Sequence, residues 1–129
     1  LGIAQGALDV ALVYIKEREQ FGRKLAKFQA LQFAVAEMET RICAARFLVY
    51  AAAQQKAAGL PFAKEAAMAK LFASETAMEV TTRAVQLFGG IGYTDEQPVE
   101  RMMRDAKITE IYEGTSEVQK MVISGALLK

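Results

Sequence analysis

The sequence predicts an all-α fold, an antiparallel bundle of about four helices in a single domain. Alanine is abundant and β-branched runs are scarce, only two prolines and nine glycines occur in 129 residues, and apolar residues recur at steps of three and four. With 53% hydrophobic residues, the chain can bury a core of its own. Short links between long helices favour antiparallel neighbours.

The first two helices are predicted over about 2–19 and about 27–58. The first carries apolar residues on two sides, which indicates burial between neighbours, and its pattern breaks at Gly22. The second carries one apolar stripe with steps of three and four, made of Leu31, Val35, Met38, Ile42, Ala45, Val49 and Ala52. The only cysteine, Cys43, lies in the same apolar run and is predicted to be buried.

A third helix is predicted over about 62–88, because Gly59 is a typical helix end and Pro61 a typical helix start. Its buried face is predicted to hold Met68, Leu71, Phe72, Met78 and Val85. The glycines of "GGIGY" end it.

Two shorter helices follow, over about 96–105 and about 116–128. Capping-box spacing at Thr94 and Gln97, and again at Ser116 and Gln119, predicts where they begin.

Composition and charge exclude several kinds of function. The net charge of +1 and the lack of a basic stripe argue against a nucleic-acid partner. The absence of histidine removes imidazole bases and most zinc or di-iron bundle sites, so no metal is predicted. No apolar run reaches the roughly 20 residues of a membrane span, so no membrane partner is predicted. Because Leu1 already lies within a helical pattern, we expect a longer protein that continues upstream.

One carboxylate stands out in "IYEGTSEV", residues 111–118. From the residues alone, two interpretations of Glu113 remain open. It could be a solvated loop carboxylate that favours the start of the following helix. It could also be a base held beside a chain reversal and flanked by the aromatic ring of Tyr112.

Four stretches have an order and spacing that a purely structural interpretation does not explain: "EREQFGRK" (17–24), "QLFGGIGY" (86–93), "ERMMRDAKI" (100–108) and "IYEGTSEVQ" (111–119). As an ordered set they resemble the C-terminal helical domain of the acyl-CoA dehydrogenase family, most closely its short-chain, butyryl-type members. The resemblance spans residues 1–129.

The resemblance implies a longer protein with an N-terminal helical domain, a middle β-domain and this bundle. It implies FAD as cofactor, a fatty acyl-CoA thioester as substrate and a trans-2-enoyl-CoA as product, in fatty acid β-oxidation or related acyl-CoA metabolism. Electrons would pass to an electron-transfer flavoprotein. The family also implies a homo-oligomer, a tetramer that shares FAD across subunits. It implies either the bacterial cytoplasm or the mitochondrial matrix as the compartment, and the bacterial cytoplasm is favoured.

The resemblance further implies that Glu113 is the catalytic base and that Tyr112 and Gly114 contact the substrate. The α-proton of a thioester is weakly acidic, so its carbonyl must be polarised and the carboxylate made more basic by burial. In the family, the base's own backbone N–H and a flavin hydroxyl polarise the thioester oxygen. For Tyr112, a packed ring that anchors the connection is an equal alternative.

The resemblance assigns Arg18 and Phe21 to the FAD diphosphate and adenosine, since a guanidinium fork suits phosphate oxygens. It extends the cofactor contacts to Gln20, Leu25, Phe28, Gln29, Gln86, Gly89, Gly90, Thr115 and Glu117. Gln20 departs from members with a hydroxyl there, and Glu117 stands where glutamine is common. Simple packing remains an alternative for Leu25, Phe28 and Gln29, and helix termination is an additional role for the glycines.

Two rival functions stay open on the residues. An acyl-CoA oxidase would use the same fold and base but would return electrons to oxygen. A non-catalytic helical interaction module would explain the amphipathic helices but not the four ordered motifs.

Overall fold

The computed structural model describes all residues 1–129 and contains five α-helices, which confirms the predicted all-α bundle. They are α1 (Gly2–Glu17), α2 (Gln29–Ala57), α3 (Ala63–Phe88), α4 (Pro98–Thr109) and α5 (Ser116–Leu127). A two-residue hairpin pair, β1 (Glu19–Gln20) and β2 (Arg23–Lys24), and a 3-10 turn at Leu25–Lys27 link α1 to α2. A second 3-10 segment, Gly89–Tyr93, links α3 to α4. None of the helices combines the length and apolarity needed to cross a membrane.

Helix α3 is the centre of the bundle and contacts each of the other four helices. Ion pairs join Arg83 to Glu37 and Arg41 to Glu79, so residue numbers rise along one helix as they fall along the other. Helices α2 and α3 are therefore antiparallel, as predicted from their short link. Tyr14 of α1 stacks on Phe88 of α3, with ring centroids 4.0 Å apart.

The core confirms the predicted stripe of the second helix but not the predicted face of the third. In α2, Met38, Ile42, Ala45 and Ala52 are buried. In α3, Met68 is 37% exposed, and the other four predicted residues are only half-buried. Small residues are buried instead, among them Ala67, Ala69, Ser74, Thr76, Ala77, Val80, Thr81 and Ala84. A helix surrounded by four others needs small side chains wherever a neighbouring backbone approaches closely.

The prediction that Cys43 is buried is wrong, because its side chain is exposed. Helix α2 is apolar on several sides, but within this chain its packing is chiefly against α3. Its outer side therefore leaves large apolar residues exposed, including Phe33 (58%), Phe47 (73%) and Tyr50 (56%).

Both predicted capping boxes are also wrong. Helix α4 begins at Pro98, whose ring suits the first helical position, while the Thr94 hydroxyl donates to the Ile91 carbonyl at 2.8 Å. Helix α5 is capped one residue earlier than predicted, where the Thr115 hydroxyl accepts a hydrogen bond from the Val118 N–H at 3.4 Å. The side chain of Gln119 is used elsewhere, as described below.

Candidate functional site

The structure divides the predicted site residues between two regions, at opposite ends of α3. One is a groove of about 340 Å³, which we call the α1–α3 groove, lined by Tyr14, Arg18, Gln20, Leu25, Leu31, Gln86, Leu87, Phe88 and Gly89. The other is the loop between α4 and α5, residues 110–115, which we call the Glu113 loop. The loop contacts α3 at Lys70, sixteen residues before Gln86. At the helical rise of about 1.5 Å per residue, the two regions lie roughly 20 Å or more apart.

The α1–α3 groove is open at the glycine pair that ends α3. Gly89 has a φ of +67°, a conformation that glycine adopts without steric cost. A methyl group added at Gly89 or Gly90 would meet no atom within 4 Å, so a ligand can approach the backbone there. On the groove's other side, Tyr14 stacks on Phe88 and donates from its hydroxyl to the Phe88 carbonyl at 3.4 Å.

The hairpin after α1 presents an aromatic ring to solvent. Phe21 and Gly22 form its two-residue turn, and both have positive φ, +54° and +75°, as in a type I′ turn. Phenylalanine is unfavourable in that conformation, yet the ring is 90% exposed. The Phe21 ring packs edge-on against the ring of Phe28. The guanidinium of Arg23 lies over the face of the Phe28 ring, 3.9 Å from its centroid.

The groove and hairpin suit the nucleotide part of FAD. Arg18, Arg23 and Lys24 are exposed within seven residues of one another, which provides cations for a diphosphate. The exposed ring of Phe21 offers a flat face for stacking. Of the other predicted residues, Gln29 is exposed at the start of α2 and Phe28 is half-buried beneath Phe21, where it supports the hairpin.

The Glu113 loop holds its carboxylate in an unusual backbone conformation. Glu113 has a φ of +54°, and it and Phe21 are the only non-glycine residues of the chain with positive φ. The carboxylate is exposed and makes no hydrogen bond or ion pair, and the Glu113 N–H donates to no group of the chain. Glu113 thus offers both an acceptor and a donor to a ligand.

Two side chains that were not predicted as site residues secure this loop. The Lys70 ammonium donates to the Gly114 carbonyl at 2.7 Å. The Gln119 amide donates to the Glu113 and Gly114 carbonyls, both at 3.1 Å. The signal for Lys70 was a lone cation in the apolar run "AAMAKLFA", whereas the amide of Gln119 was misassigned to a capping box.

Beneath the loop lies a smaller pocket of about 180 Å³, which we call the Tyr112 pocket. Its lining is mostly apolar and consists of Leu1, Ile3, Lys70, Ala73, Ser74, Ala77, Thr109 and Tyr112. The Tyr112 ring is 52% exposed, so it lines the pocket without closing it.

Thr115 and Glu117 lie at the start of α5, away from the α1–α3 groove. Thr115 caps the helix, and Glu117 is exposed in its first turn. Hydrogen bonds from its own backbone N–H and then from the Thr115 hydroxyl lower the pKa of the Glu117 carboxyl below its ordinary value. Both residues therefore have a local structural role, and they share a shallow surface depression with Lys107 and Lys120.

Comparison with known proteins gives a consistent result over the whole chain. Residues 1–128 match the family described as "Acyl-CoA dehydrogenase, C-terminal domain". The chain is 64% identical over 129 residues to "Acyl-CoA dehydrogenase, short-chain specific" of Clostridium acetobutylicum, covering 100% of this chain and 34% of that protein.

Two solved structures are equally similar in fold. Butyryl-CoA dehydrogenase from Megasphaera elsdenii has a TM-score of 0.98 and 59% identity, over 99% of this chain and 33% of that chain. A chain in a structure described as "Electron transferring flavoprotein of Acidaminococcus fermentans" has a TM-score of 0.98 and 63% identity, over 99% of this chain and 34% of that chain.

The chain spans about one third of the length of these relatives. The family match covers nearly every residue and includes the four motifs, the helical bundle and the Glu113 loop. The chain therefore belongs to the acyl-CoA dehydrogenase family and corresponds to its C-terminal domain.

Proposed function

We propose that this chain is the C-terminal domain of an FAD-dependent short-chain acyl-CoA dehydrogenase, in which Glu113 removes the α-proton of the substrate thioester. The observation that carries the proposal is the conformation of Glu113. Its carboxylate and its backbone N–H both lack a partner in the chain, and the loop that bears them has a strained, anchored backbone.

The proposed chemistry follows from those two groups. The Glu113 N–H donates to the thioester oxygen, which polarises the carbonyl and makes the α-proton more acidic. The carboxylate then accepts that proton. Tyr112 and the apolar wall of the Tyr112 pocket contact the acyl chain, and Gly114 lets the backbone turn beside the substrate. The middle domain of the longer protein covers Glu113 and raises its basicity by excluding water.

FAD, when bound, accepts the hydride from the β-carbon. Arg18 would bind its diphosphate and Phe21 would stack on its adenine, while Gln20, Leu25, Gln86 and Gly89 line the same groove and Gly90 follows next to it in the chain. The groove and the Glu113 loop lie roughly 20 Å or more apart on this chain. That separation supports a homo-oligomer in which the groove of one subunit binds the FAD that serves the Glu113 of another subunit. Thr115 and Glu117 would contact this FAD from the subunit that supplies Glu113.

We further propose an electron-transfer flavoprotein as the electron acceptor. The similarity to a chain in a structure of the A. fermentans electron transferring flavoprotein supports it. Because the three relatives described above are bacterial, the bacterial cytoplasm is the proposed compartment.

The proposal is tested on the full-length protein purified with its flavin. Anaerobic mixing with butyryl-CoA should bleach the flavin absorbance and yield crotonyl-CoA, and added electron-transfer flavoprotein should restore turnover. Steady production of H2O2 in air, without need for that partner, would instead identify an acyl-CoA oxidase. A flavin that no acyl-CoA reduces, or a protein without flavin, would contradict the proposal and favour a helical interaction module.

A further inference from the structure

Two side chains outside the motif "YEGT" converge on the backbone immediately after the carboxylate. The Gln119 amide bonds the carbonyls of Glu113 and Gly114, and the Lys70 ammonium bonds the carbonyl of Gly114 from α3. Gln119 is 9% exposed, which is the low exposure of a core residue. A buried amide and a half-buried lysine are thus both committed to one short stretch of backbone.

The backbone that leads to Tyr112 is fixed as well. The N–H groups of Ile111 and Tyr112 both donate to the Ile108 carbonyl at 3.0 Å, and the Ser116 N–H closes the loop on the Glu110 carbonyl at 3.1 Å. Hydrogen bonds therefore fix the backbone as far as the Tyr112 N–H and again at the two carbonyls after the Glu113 Cα, while the peptide that joins Tyr112 to Glu113 makes none and leaves the Glu113 N–H free.

Glutamate does not hold a left-handed conformation unless its surroundings require it. Without the bonds from Gln119 and Lys70, the two peptide planes after Glu113 could rotate and its φ could relax to a negative value. Such a change would redirect both the carboxylate and the N–H of Glu113. The packing is tight, since a methyl group added at Gly114 would come 2.8 Å from the Gln119 amide nitrogen.

We propose that Gln119 and Lys70 are positioning residues, which hold Glu113 in its left-handed conformation by binding the two carbonyls that follow its Cα. The proposal rests on the proposed function of Glu113 as base. Each acts through the loop backbone; Lys70 also lines the Tyr112 pocket, but its ammonium is bound to the Gly114 carbonyl. A purely structural role, that of attaching the start of α5 to α3, is the alternative that the experiment must separate.

The test uses the full-length protein with its flavin and four variants. Gln119→Met and Lys70→Met keep an unbranched side chain of similar length but remove its hydrogen-bond donors, whereas Lys70→Arg keeps a cationic donor. Lys64→Met is the matched control, because Lys64 lies on the same helix and pairs only with Glu65 at the surface.

The first readout is the rate of flavin reduction by butyryl-CoA. We expect the limiting rate to fall roughly 10- to 100-fold in Gln119→Met and Lys70→Met, as for a displaced catalytic group. The substrate concentration at half-maximal rate should change by less than about threefold, because contacts to the rest of the substrate are kept. Lys70→Arg should stay within a few-fold of the wild type and Lys64→Met should match it.

The second readout does not depend on activity. Hydrogen–deuterium exchange of a peptide covering residues 110–116 should accelerate in both methionine variants but not in Lys64→Met, with the melting temperature nearly unchanged. Rates within threefold of the wild type in both methionine variants would overturn the proposal. So would a loss of rate that follows a large fall in melting temperature and that Lys70→Arg does not restore.

The variant Glu113→Gln distinguishes failure of the positioning role from failure of Glu113 as the proposed base. If that variant is inactive while the methionine variants are fully active, only the positioning role is wrong. If Glu113→Gln remains active, the proposed base is wrong, and hydrogen exchange still decides whether Gln119 and Lys70 fix the loop.

Discussion

The turn at Phe21 predicts opposite effects on stability and on cofactor binding. A phenylalanine with a φ of +54° is strained, whereas asparagine is among the residues that a type I′ turn favours at this position. We therefore expect Phe21→Asn to stabilise the 129-residue chain and to weaken FAD binding by the full-length protein.

The magnitude follows from the exposure and contacts of the ring. The left-handed conformation costs a residue such as phenylalanine about 1–2 kcal/mol, most of which asparagine avoids. Because the ring is 90% exposed and touches Phe28 only edge-on, its removal forfeits about 0.5 kcal/mol. The net gain in the free energy of unfolding is about 0.5–1 kcal/mol, which corresponds to a melting temperature roughly 2–5 °C higher.

The assay for stability is thermal unfolding of the chain followed by far-UV circular dichroism. Phe47→Asn is the control, since Phe47 is also exposed (73%) but lies inside α2 with ordinary backbone angles, so no stabilisation is expected. In the full-length protein, loss of aromatic stacking worth about 1–3 kcal/mol should raise the dissociation constant of FAD roughly 5- to 150-fold. A lower melting temperature for Phe21→Asn, or FAD binding equal to wild type, would refute the reasoning.

Three further outcomes are expected of the 129-residue chain. Ile42→Ala, at a fully buried position, should lower the free energy of unfolding by about 2–5 kcal/mol in urea titrations. Phe47→Ala should change it by less than about 0.5 kcal/mol, because Phe47 is exposed. If the two variants lowered the free energy of unfolding equally, the core would have to lie elsewhere. The hydrogen bonds that lower the pKa of Glu117 stabilise the fold at any pH above the ordinary pKa of a glutamate, and this stabilisation is lost as the pH falls through the lower pKa of the folded state. The stability difference between wild type and Glu117→Gln should therefore vanish in acid; a difference that persists at low pH would contradict this. Isothermal titration with FAD should give little or no heat, because the groove supplies only part of the proposed site; binding of one flavin per chain would be contrary to that account.

The helical fold was predictable because helix ends and apolar spacing are local properties of the sequence. Gly59 and Pro61 bracket the link between α2 and α3, and the stripe that contains Met38 and Ile42 does form the buried side of α2. The exposed Cys43 and the small-residue face of α3 were not predictable in this way. Which side of an apolar helix is buried depends on which neighbours the chain itself supplies.

From the residues alone, the candidate site was predictable only where a residue type is unusual for its local position. Glu113 beside Gly114 stood out from the residues alone, whereas Phe21 was assigned only by the family resemblance; both have left-handed backbone in the structure. The role of Lys70 was hidden, because its partner is a backbone carbonyl 44 residues away and any residue type provides such a carbonyl.

The central claim is that Glu113 is the base, and its most direct test is Glu113→Gln in the full-length flavoprotein. The change keeps the size of the side chain and removes its basicity, so FAD and acyl-CoA should still bind. Glu110→Gln is the matched control, as it removes the same charge from the same loop and its carboxylate is paired with Lys107. In stopped-flow mixing with butyryl-CoA, the flavin of Glu113→Gln should be reduced roughly 10²- to 10⁴-fold more slowly than that of the wild type. The rate of flavin reduction in Glu110→Gln should equal that of the wild type. Flavin reduction by Glu113→Gln within a few-fold of the wild-type rate would mean that another group takes the proton.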